Sequence, residues 1–134
     1  MKIERGTSRK RDHMVVLDTN VIIDYLIGKE KIVKLVNTFP GDELSMTFVN
    51  QYELLKYKNR KTLKEAIENL RIYHSTDLST DASAKAYQSL SSRGKMMSDN
   101  DLLMFGVCIA NNEVMITQDK AFKDLGSESV IVIE

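Results

Sequence analysis

The sequence lacks the cysteine pairs that stabilise small extracellular domains, and it has no long apolar run. Its 134 residues include one cysteine, one proline and no tryptophan, and the formal net charge is zero. A single cysteine excludes an internal disulfide and a cysteine-based zinc site, and it favours a reducing compartment such as the cytoplasm. No apolar run approaches the roughly 20 residues that a membrane-spanning helix needs. We therefore expect a single domain that acts in the cytoplasm without a membrane.

The zero net charge hides a basic segment at residues 1–13. This segment has five basic and two acidic residues, a charge of +3, so residues 14–134 carry −3. The overall balance argues against a strongly basic nucleic-acid coat protein. The segment can be a basic arm that contacts phosphates, or a poorly ordered leader, since Met14 could be the natural start. We predict an N-terminal extension over 1–13 and one domain over 14–134.

Short apolar runs alternate with helical periodicity along residues 14–134. The runs at 14–18, 44–48, 71–74, 113–117 and 130–133 predict five strands, of which 71–74 is the weakest. Apolar spacing predicts seven helices, placed two, two, two and one between consecutive strands. They include a helix over 50–58 and a helix over 81–90. This order is typical of an α/β fold with three layers. We expect a central, mostly parallel sheet of four or five strands with helices on both faces.

Acidic side chains follow strands or open helices at four points of the chain. Asp18 ends the first strand, and Asp119 follows the fourth strand. Glu53 lies in the first turn of the helix after the second strand, and Asp101 opens the most apolar helix. The carboxyl ends of parallel strands meet at one sheet edge, so we expect these acids to converge there. Asp99 is a candidate fifth member of the group.

Each acid also has a purely structural explanation. Asp18 can form an Asx turn, Asp99 can complement a helix dipole, and Asp119 can cap a helix. The spacings Asn50–Glu53 and Ser98–Asp101 both resemble capping boxes. Several carboxylates at one edge repel strongly, however, and a divalent cation removes that cost. Oxygen ligands suit Mg²⁺ or Mn²⁺, and such a site points to phosphoryl chemistry.

Other catalytic groups are poorly placed. Neither His13 nor His74 is predicted at a strand end beside a nucleophile, and Cys108 lies among apolar residues in the middle of a helix. The sequence has no glycine-rich loop that would cradle a phosphate. A haloacid-dehalogenase type of phosphatase would need an acid at Asn20, and the residues that mark a receiver domain are not evident.

Four motifs, in this order, resemble those of PIN-domain ribonucleases of the VapC toxin type. They are Val15-Val-Leu-Asp18-Thr19-Asn20, Phe48-Val-Asn-Gln-Tyr-Glu53, Ser98-Asp-Asn-Asp101, and Val114-Met-Ile-Thr117-Gln118-Asp119. The resemblance covers about residues 14–133. It implies a PIN-like domain and an endoribonuclease that depends on Mg²⁺ or Mn²⁺, the toxin of a type II toxin–antitoxin system. It also implies an RNA substrate, a small antitoxin protein as partner, and a homodimer.

The resemblance also assigns roles to residues. Asp18, Glu53, Asp101 and Asp119 match the catalytic metal ligands of the family, with Asp99 as a candidate addition. Three further residues match positions that orient ligands or water: Thr19, Asn20 and Thr117. Gln118 stands where a basic residue is common, which weakens the expected phosphate contact.

A basic stretch follows Glu53 in the sequence. It contains Lys56, Lys58, Arg60, Lys61 and Lys64. It could steer RNA toward the acids, or it could be an ordinary solvated helix face. Two other functions stay open: an RNA-processing PIN nuclease without an antitoxin, and a non-catalytic PIN-fold domain that binds RNA or protein. The second alternative predicts a missing acid, and none is missing.

Overall fold

Five short strands, all parallel, form one sheet in the computed structural model, which describes residues 14–57 and 59–134. The strands are β1 (Val15–Leu17), β2 (Leu44–Thr47), β3 (Arg71–Tyr73), β4 (Val114–Thr117) and β5 (Val130–Val132). Their order across the sheet is β3-β2-β1-β4-β5. The predicted α/β architecture with a parallel sheet is confirmed. The extension predicted over residues 1–13 lies outside the described residues.

Six α-helices and two short 3₁₀ helices connect the strands within the described residues. The α-helices are α1 (Thr19–Leu26), α2 (Glu30–Val36), α3 (Phe48–Leu55), α4 (Arg60–Ile67), α5 (Asp77–Ser92) and α6 (Asp99–Ala110). The 3₁₀ helices are Gly41–Glu43 and Lys120–Leu125. The last predicted helix is therefore a 3₁₀ helix. None of the described helices is long and apolar enough to cross a membrane.

The sheet has a separate hydrophobic core on each face. Successive strand residues point to opposite faces, so Val16 and Met115 enter one core while Leu17 and Ile116 enter the other. The first core is filled mainly from α5 and α6 and includes Cys108, which is fully buried as its apolar neighbours predict. The second is filled mainly from α1, α2 and α4. This arrangement gives the three layers.

The strand order places a topological switch point between β1 and β4. The chain builds the sheet outward from β1 through β2 to β3, and then returns to the other side of β1 with β4 and β5. Parallel α/β sheets bind ligands beyond the carboxyl ends of the strands at such a point, because the connecting loops diverge there. Asp18 directly follows β1, and Gln118 and Asp119 directly follow β4. The expected ligand-binding crevice of this fold therefore lies beside Asp18 and Asp119.

Candidate active site

Four carboxylates line one small pocket beyond the carboxyl ends of β1 and β4. The pocket has a volume of about 170 Å³. Its walls consist of Asp18, Thr19, Asn20, Glu53, Lys56, Tyr57, Asp101 and Asp119. The four acids come from the ends of two strands and from two helices that are far apart in sequence. The structure thus brings together the acids that the sequence places at strand ends and helix starts.

Asp18 is the most deeply buried of these acids. Its side chain caps α1 and is 5% exposed. It accepts hydrogen bonds from the backbone N–H of Thr19 at 2.7 Å and from the hydroxyl of Thr117 at 2.6 Å. Burial raises the pKa of Asp18, and the nearby charges of Glu53 and Asp119 add to the rise, whereas the two hydrogen bonds oppose it. Asp18 is therefore both a helix cap and a wall of the pocket.

Thr117 connects two of the acids. Its hydroxyl donates to Asp18 and accepts the backbone N–H of Asp119 at 3.0 Å. The Asp119 carboxylate in turn accepts the N–H of Ala121 at 2.9 Å, so Asp119 caps the 3₁₀ helix as well as lining the pocket. A single buried hydroxyl therefore fixes the relative position of the acids that follow β1 and β4.

Glu53 is held at both carboxylate oxygens. Thr19 donates its hydroxyl to Oε1, and the side-chain amide of Asn100 donates to Oε2 at 3.0 Å. The spacing Asn50–Glu53 resembles a capping box in the sequence, but Thr47 caps α3 and Asn50 occupies the third position of that cap. Glu53 consequently lies in the second turn of α3 rather than the first, and its carboxylate is left for the pocket.

Asp101 stands at the start of α6. Ser98 caps this helix by accepting the backbone N–H of Asp101 at 3.2 Å. Burial raises the pKa of Asp101 to about 6, against the lowering effect of Ser98, and the charges of the other three acids add to the rise. The crowding of acids predicted for this sheet edge therefore contributes to the raised pKa of Asp101 in the structure.

Asp99 is not brought into the pocket. Its side chain is exposed and lines a different groove, between α5 and α6. Residues two apart on an α-helix point in directions that differ by more than half a turn, so the side chains of Asp99 and Asp101 point away from each other. Asp99, the candidate fifth ligand, therefore lies at the start of α6 but away from the four pocket acids.

The basic residues predicted near Glu53 are only partly described. Lys56 lines the pocket, and Lys61 is exposed on α4. Lys58 and the side chain of Arg60 lie outside what the structure describes. Asn20 is exposed and forms part of the pocket rim. Gln118 faces away toward α1, where its amide donates to Asp24 at 2.8 Å.

Two asparagines that sequence reasoning passed over organise the site. Asn50 is fully buried and donates to the Thr19 hydroxyl at 3.0 Å, and Asn100 donates to Glu53. The spacing Thr47–Asn50 at a strand-to-helix junction is a capping signal that could have located Asn50. Asn100 had no such signal, because its role depends on how α6 packs beside α3.

The donor set has a clear chemical preference. The pocket acids offer carboxylate oxygens, and no His or Cys of the described part of the chain lines the pocket. Hard oxygen donors of this kind suit Mg²⁺ and Mn²⁺. Within residues 14–57 and 59–134, no three acid, His or Cys side chains stand close enough together to hold a metal ion as placed. The four pocket acids fit a divalent cation by the chemistry of their donor atoms.

Comparison with known families identifies the fold and the class of protein. The PIN domain family matches residues 15–128, and the chain belongs to this family. The family consists of nucleases, which implies a hydrolase acting on nucleic acids. No curated protein matches the chain.

Several solved toxin–antitoxin structures are similar to the chain. VapBC-1 from nontypeable Haemophilus influenzae is 23% identical, with a TM-score of 0.76, over 89% of this chain and 97% of that one. VapBC-5 from Mycobacterium tuberculosis, a member of the VapBC family, is 25% identical, with a TM-score of 0.67, over 92% and 99%. VapBC2 from Rickettsia felis, bound to a promoter DNA fragment, is 19% identical, with a TM-score of 0.71, over 90% and 97%.

Proposed function

We propose that this PIN domain is a divalent-metal-dependent endoribonuclease and the toxin of a type II toxin–antitoxin system. The observation that carries the proposal is the single pocket lined by Asp18, Glu53, Asp101 and Asp119 at the switch point of the sheet. Such a pocket suits hydrolysis of a phosphodiester bond, because the reaction builds negative charge that a cation held by carboxylates can offset. We expect the enzyme to act in the cytoplasm.

The same four acids are the proposed ligands of Mg²⁺ or Mn²⁺. Burial and mutual repulsion raise the pKa values of Asp18 and Asp101, so ionising all four acids without a cation is costly. When bound, the metal supplies positive charge that activates a water and stabilises the leaving oxygen. The chain contributes the placement of the ligands: Thr117 positions Asp18 and Asp119, while Thr19 and Asn100 hold Glu53.

The rim of the pocket offers groups that suit an RNA backbone. Lys56 is the cation that lines the pocket among the described residues, and it can attract a phosphate toward the acids. Asn20 is exposed at the same rim and can orient a phosphate oxygen or water. We assign both residues to substrate binding, together with Lys58, Arg60 and Lys61 as a weaker basic surface.

The proposal of an antitoxin partner draws support from the similar structures, several of which are VapBC toxin–antitoxin complexes. The homodimer is proposed from the family resemblance alone. An RNA-processing nuclease without an antitoxin would use the same four acids. A measurement of cell growth distinguishes a toxin from an RNA-processing nuclease. We expect production of the chain alone to arrest growth, and co-production of the protein encoded beside it to restore growth.

The decisive experiment measures RNA cleavage by the purified full chain with Mg²⁺, with Mn²⁺ and with excess EDTA. We expect cleavage only with metal. We expect Asp101→Asn to lower the rate by more than about 100-fold, because even indirect partners of metal ligands typically contribute 10- to 100-fold. Asp99→Asn is the matched control: it removes the same charge two residues away but outside the pocket, and we expect it to retain cleavage.

Two results would contradict the proposal. Cleavage that persists in EDTA or in Asp101→Asn would show that the four acids do not act as ligands of a catalytic metal. If calorimetry detected no Mn²⁺ binding to the wild-type chain, the carboxylates would serve as helix caps and hydrogen-bond acceptors only, and the non-catalytic alternative would take precedence.

A further inference from the structure

One wall of the acid pocket is aromatic and basic. Lys56 and Tyr57 come three and four residues after Glu53, the spacings that share a helix face, and all three line the pocket. Lys56 is the C-cap of α3 and keeps a helical backbone conformation, and the Tyr57 N–H donates to the carbonyl of Leu54 at 3.3 Å. The end of α3 therefore presents a cation and an aromatic ring beside the carboxylate that the same helix contributes.

The aromatic rings at this end of α3 are open to solvent. Tyr57 is 49% exposed and Tyr52 is 60% exposed. The ammonium group of Lys56 lies 5.3 Å from the centroid of the Tyr52 ring, and Lys56 lines the acid pocket together with Tyr57. Exposed rings interleaved with positive charge are the combination that surfaces for single-stranded nucleic acids use, since rings stack on bases and cations contact phosphates.

The size of the pocket determines which part of a nucleotide it can take. At about 170 Å³ it is smaller than the roughly 300–1,000 Å³ of pockets that enclose whole drug-sized ligands. Its walls are mostly polar and acidic, which suits a phosphate with a cation and does not suit an apolar base. A nucleotide whose phosphate enters this pocket must leave its base at the rim, where Tyr57 stands.

We infer that Tyr57 forms a stacking subsite for an unpaired RNA base next to the cleaved phosphodiester, with Lys56 on an adjoining phosphate. This inference rests on the proposed ribonuclease function and assigns to it a residue that contacts the base. A base inside a duplex is stacked on its neighbours and has no free face for Tyr57, whereas a base in a loop or single strand can turn outward. Stacking on Tyr57 therefore requires an unpaired nucleotide beside the cleaved bond.

The first test compares RNA binding by ring variants of the otherwise wild-type chain in excess EDTA, where we expect no cleavage. The probes are a fluorescein-labelled pool of unpaired RNA of about 12 nucleotides and a duplex of the same length, which suits typical single-strand site sizes. We expect Tyr57→Ala to weaken binding of unpaired RNA about tenfold, the loss typical of one stacked base, and to leave duplex binding unchanged.

Two control variants accompany this test. Tyr57→Phe keeps the ring and is expected to bind like the parent, which separates stacking from any role of the hydroxyl. Tyr87→Ala removes a tyrosine of similar exposure on α5, outside the acid pocket, and is expected to leave RNA binding unchanged. Thermal unfolding of each variant establishes that a loss of binding is not a loss of fold.

A second test removes the base instead of the ring. Single abasic nucleotides are placed in turn along one cleavable RNA, and kcat/KM is measured with Mn²⁺ for the wild type and Tyr57→Ala. We expect one position, adjoining the cleaved bond, where the abasic nucleotide costs the wild type about tenfold and costs Tyr57→Ala nothing further. Independent, additive losses at every position would overturn the inference.

The outcomes separate the subsite from the nuclease. Metal-dependent cleavage with Tyr57→Ala as active as wild type on unpaired RNA would overturn the subsite and leave the proposed function intact. Ring-dependent binding of unpaired RNA without any cleavage would support the subsite and reject the proposed function. If Tyr57→Ala lost binding to the antitoxin protein but kept its RNA affinity, the ring would belong to a protein interface and the inference would be wrong.

Discussion

At the scale of residues, one buried carboxylate is the centre of the candidate site. Asp18 is satisfied by the Thr117 hydroxyl and the Thr19 N–H, and Thr19 also donates to Glu53. Asn50 completes the network by donating to Thr19. Because each partner is itself held by another group, these side chains have little freedom to rearrange. Such preorganisation keeps the carboxylates close together despite their repulsion.

The first prediction concerns Asp101 and pH. Its pKa is about 6 in the folded chain against 3.8 as the ordinary value, so the folded state binds the proton more tightly. The free energy of unfolding therefore falls as pH rises from about 4 to 6. Above pH 6 the folded chain bears the full cost of the ionised Asp101 carboxylate. Without metal at about pH 8, we expect Asp101→Asn to be more stable by about 1 kcal/mol, a value discounted because the group is half-exposed.

Thermal unfolding in EDTA measures this difference across the pH range. The gain of Asp101→Asn should reach about 3 °C at neutral or alkaline pH and should vanish below about pH 3, where the wild-type carboxyl is protonated in both the folded and the unfolded chain. A gain that is the same at both ends of the range would mean that the substitution acts through packing and not through charge.

At the scale of elements, helix caps decided the boundaries that periodicity misplaced. Apolar spacing predicted a helix over 50–58, but α3 begins at Phe48 because Thr47 caps it. In the same way α5 begins at Asp77, not at 81, because Thr76 and Ser79 form a capping box. Apolar periodicity reports the buried face of a helix, whereas its first turn is set by polar groups that satisfy backbone N–H groups.

The packing of α5 against α6 leads to a second prediction. Gly106 lies where a Cβ atom would stand 1.9 Å from the Ser83 hydroxyl oxygen and 2.4 Å from the backbone oxygen of Ser79. We expect Gly106→Ala to destabilise the fold by about 2 kcal/mol, because relieving the clash must move α5, and this outweighs the usual helical preference for alanine. Chemical denaturation measures the change in the free energy of unfolding.

Gly41 supplies the matched control for this substitution. A Cβ atom at Gly41 would meet no heavy atom within 4 Å, and we expect Gly41→Ala to be close to neutral. The combination of Gly106→Ala with Ser83→Ala should recover little, since the backbone oxygen of Ser79 remains in the way. A Gly106→Ala chain as stable as wild type would show that the two helices separate at negligible cost.

At the scale of the whole molecule, the candidate site exists only in the folded chain. Its acids lie at positions 18, 53, 101 and 119, so the unfolded chain does not hold them together. A cation that binds these acids must therefore stabilise the fold by mass action. We expect Mn²⁺ at about 100 times its dissociation constant to add about 2.7 kcal/mol to the free energy of unfolding.

Thermal unfolding at increasing Mn²⁺ concentration tests this third prediction. Asp101→Asn should lose most of the stabilisation, while Asp81→Asn should keep it, because Asp81 is a surface acid paired with Lys85 on α5. Equal stabilisation of both variants would indicate nonspecific screening of surface charge, and would place the metal elsewhere.

The sequence by itself determined the class of fold and named the acids that the pocket contains. Alternating strands and helices require a covered parallel sheet, because apolar strands must be buried on both faces. The PIN resemblance read from four motifs is confirmed by the family match over residues 15–128. The acids could be listed in advance because strand ends and helix starts are visible in local patterns.

Only the tertiary structure decided how those acids are held. The hydrogen bond of Thr117 to Asp18 joins residues 99 positions apart, and the bond of Asn100 to Glu53 joins two different helices. The same packing turned Asp99 away from the pocket and left the ring of Tyr57 beside it. Local patterns reveal which elements form, but the direction of a side chain toward a distant partner depends on how those elements pack.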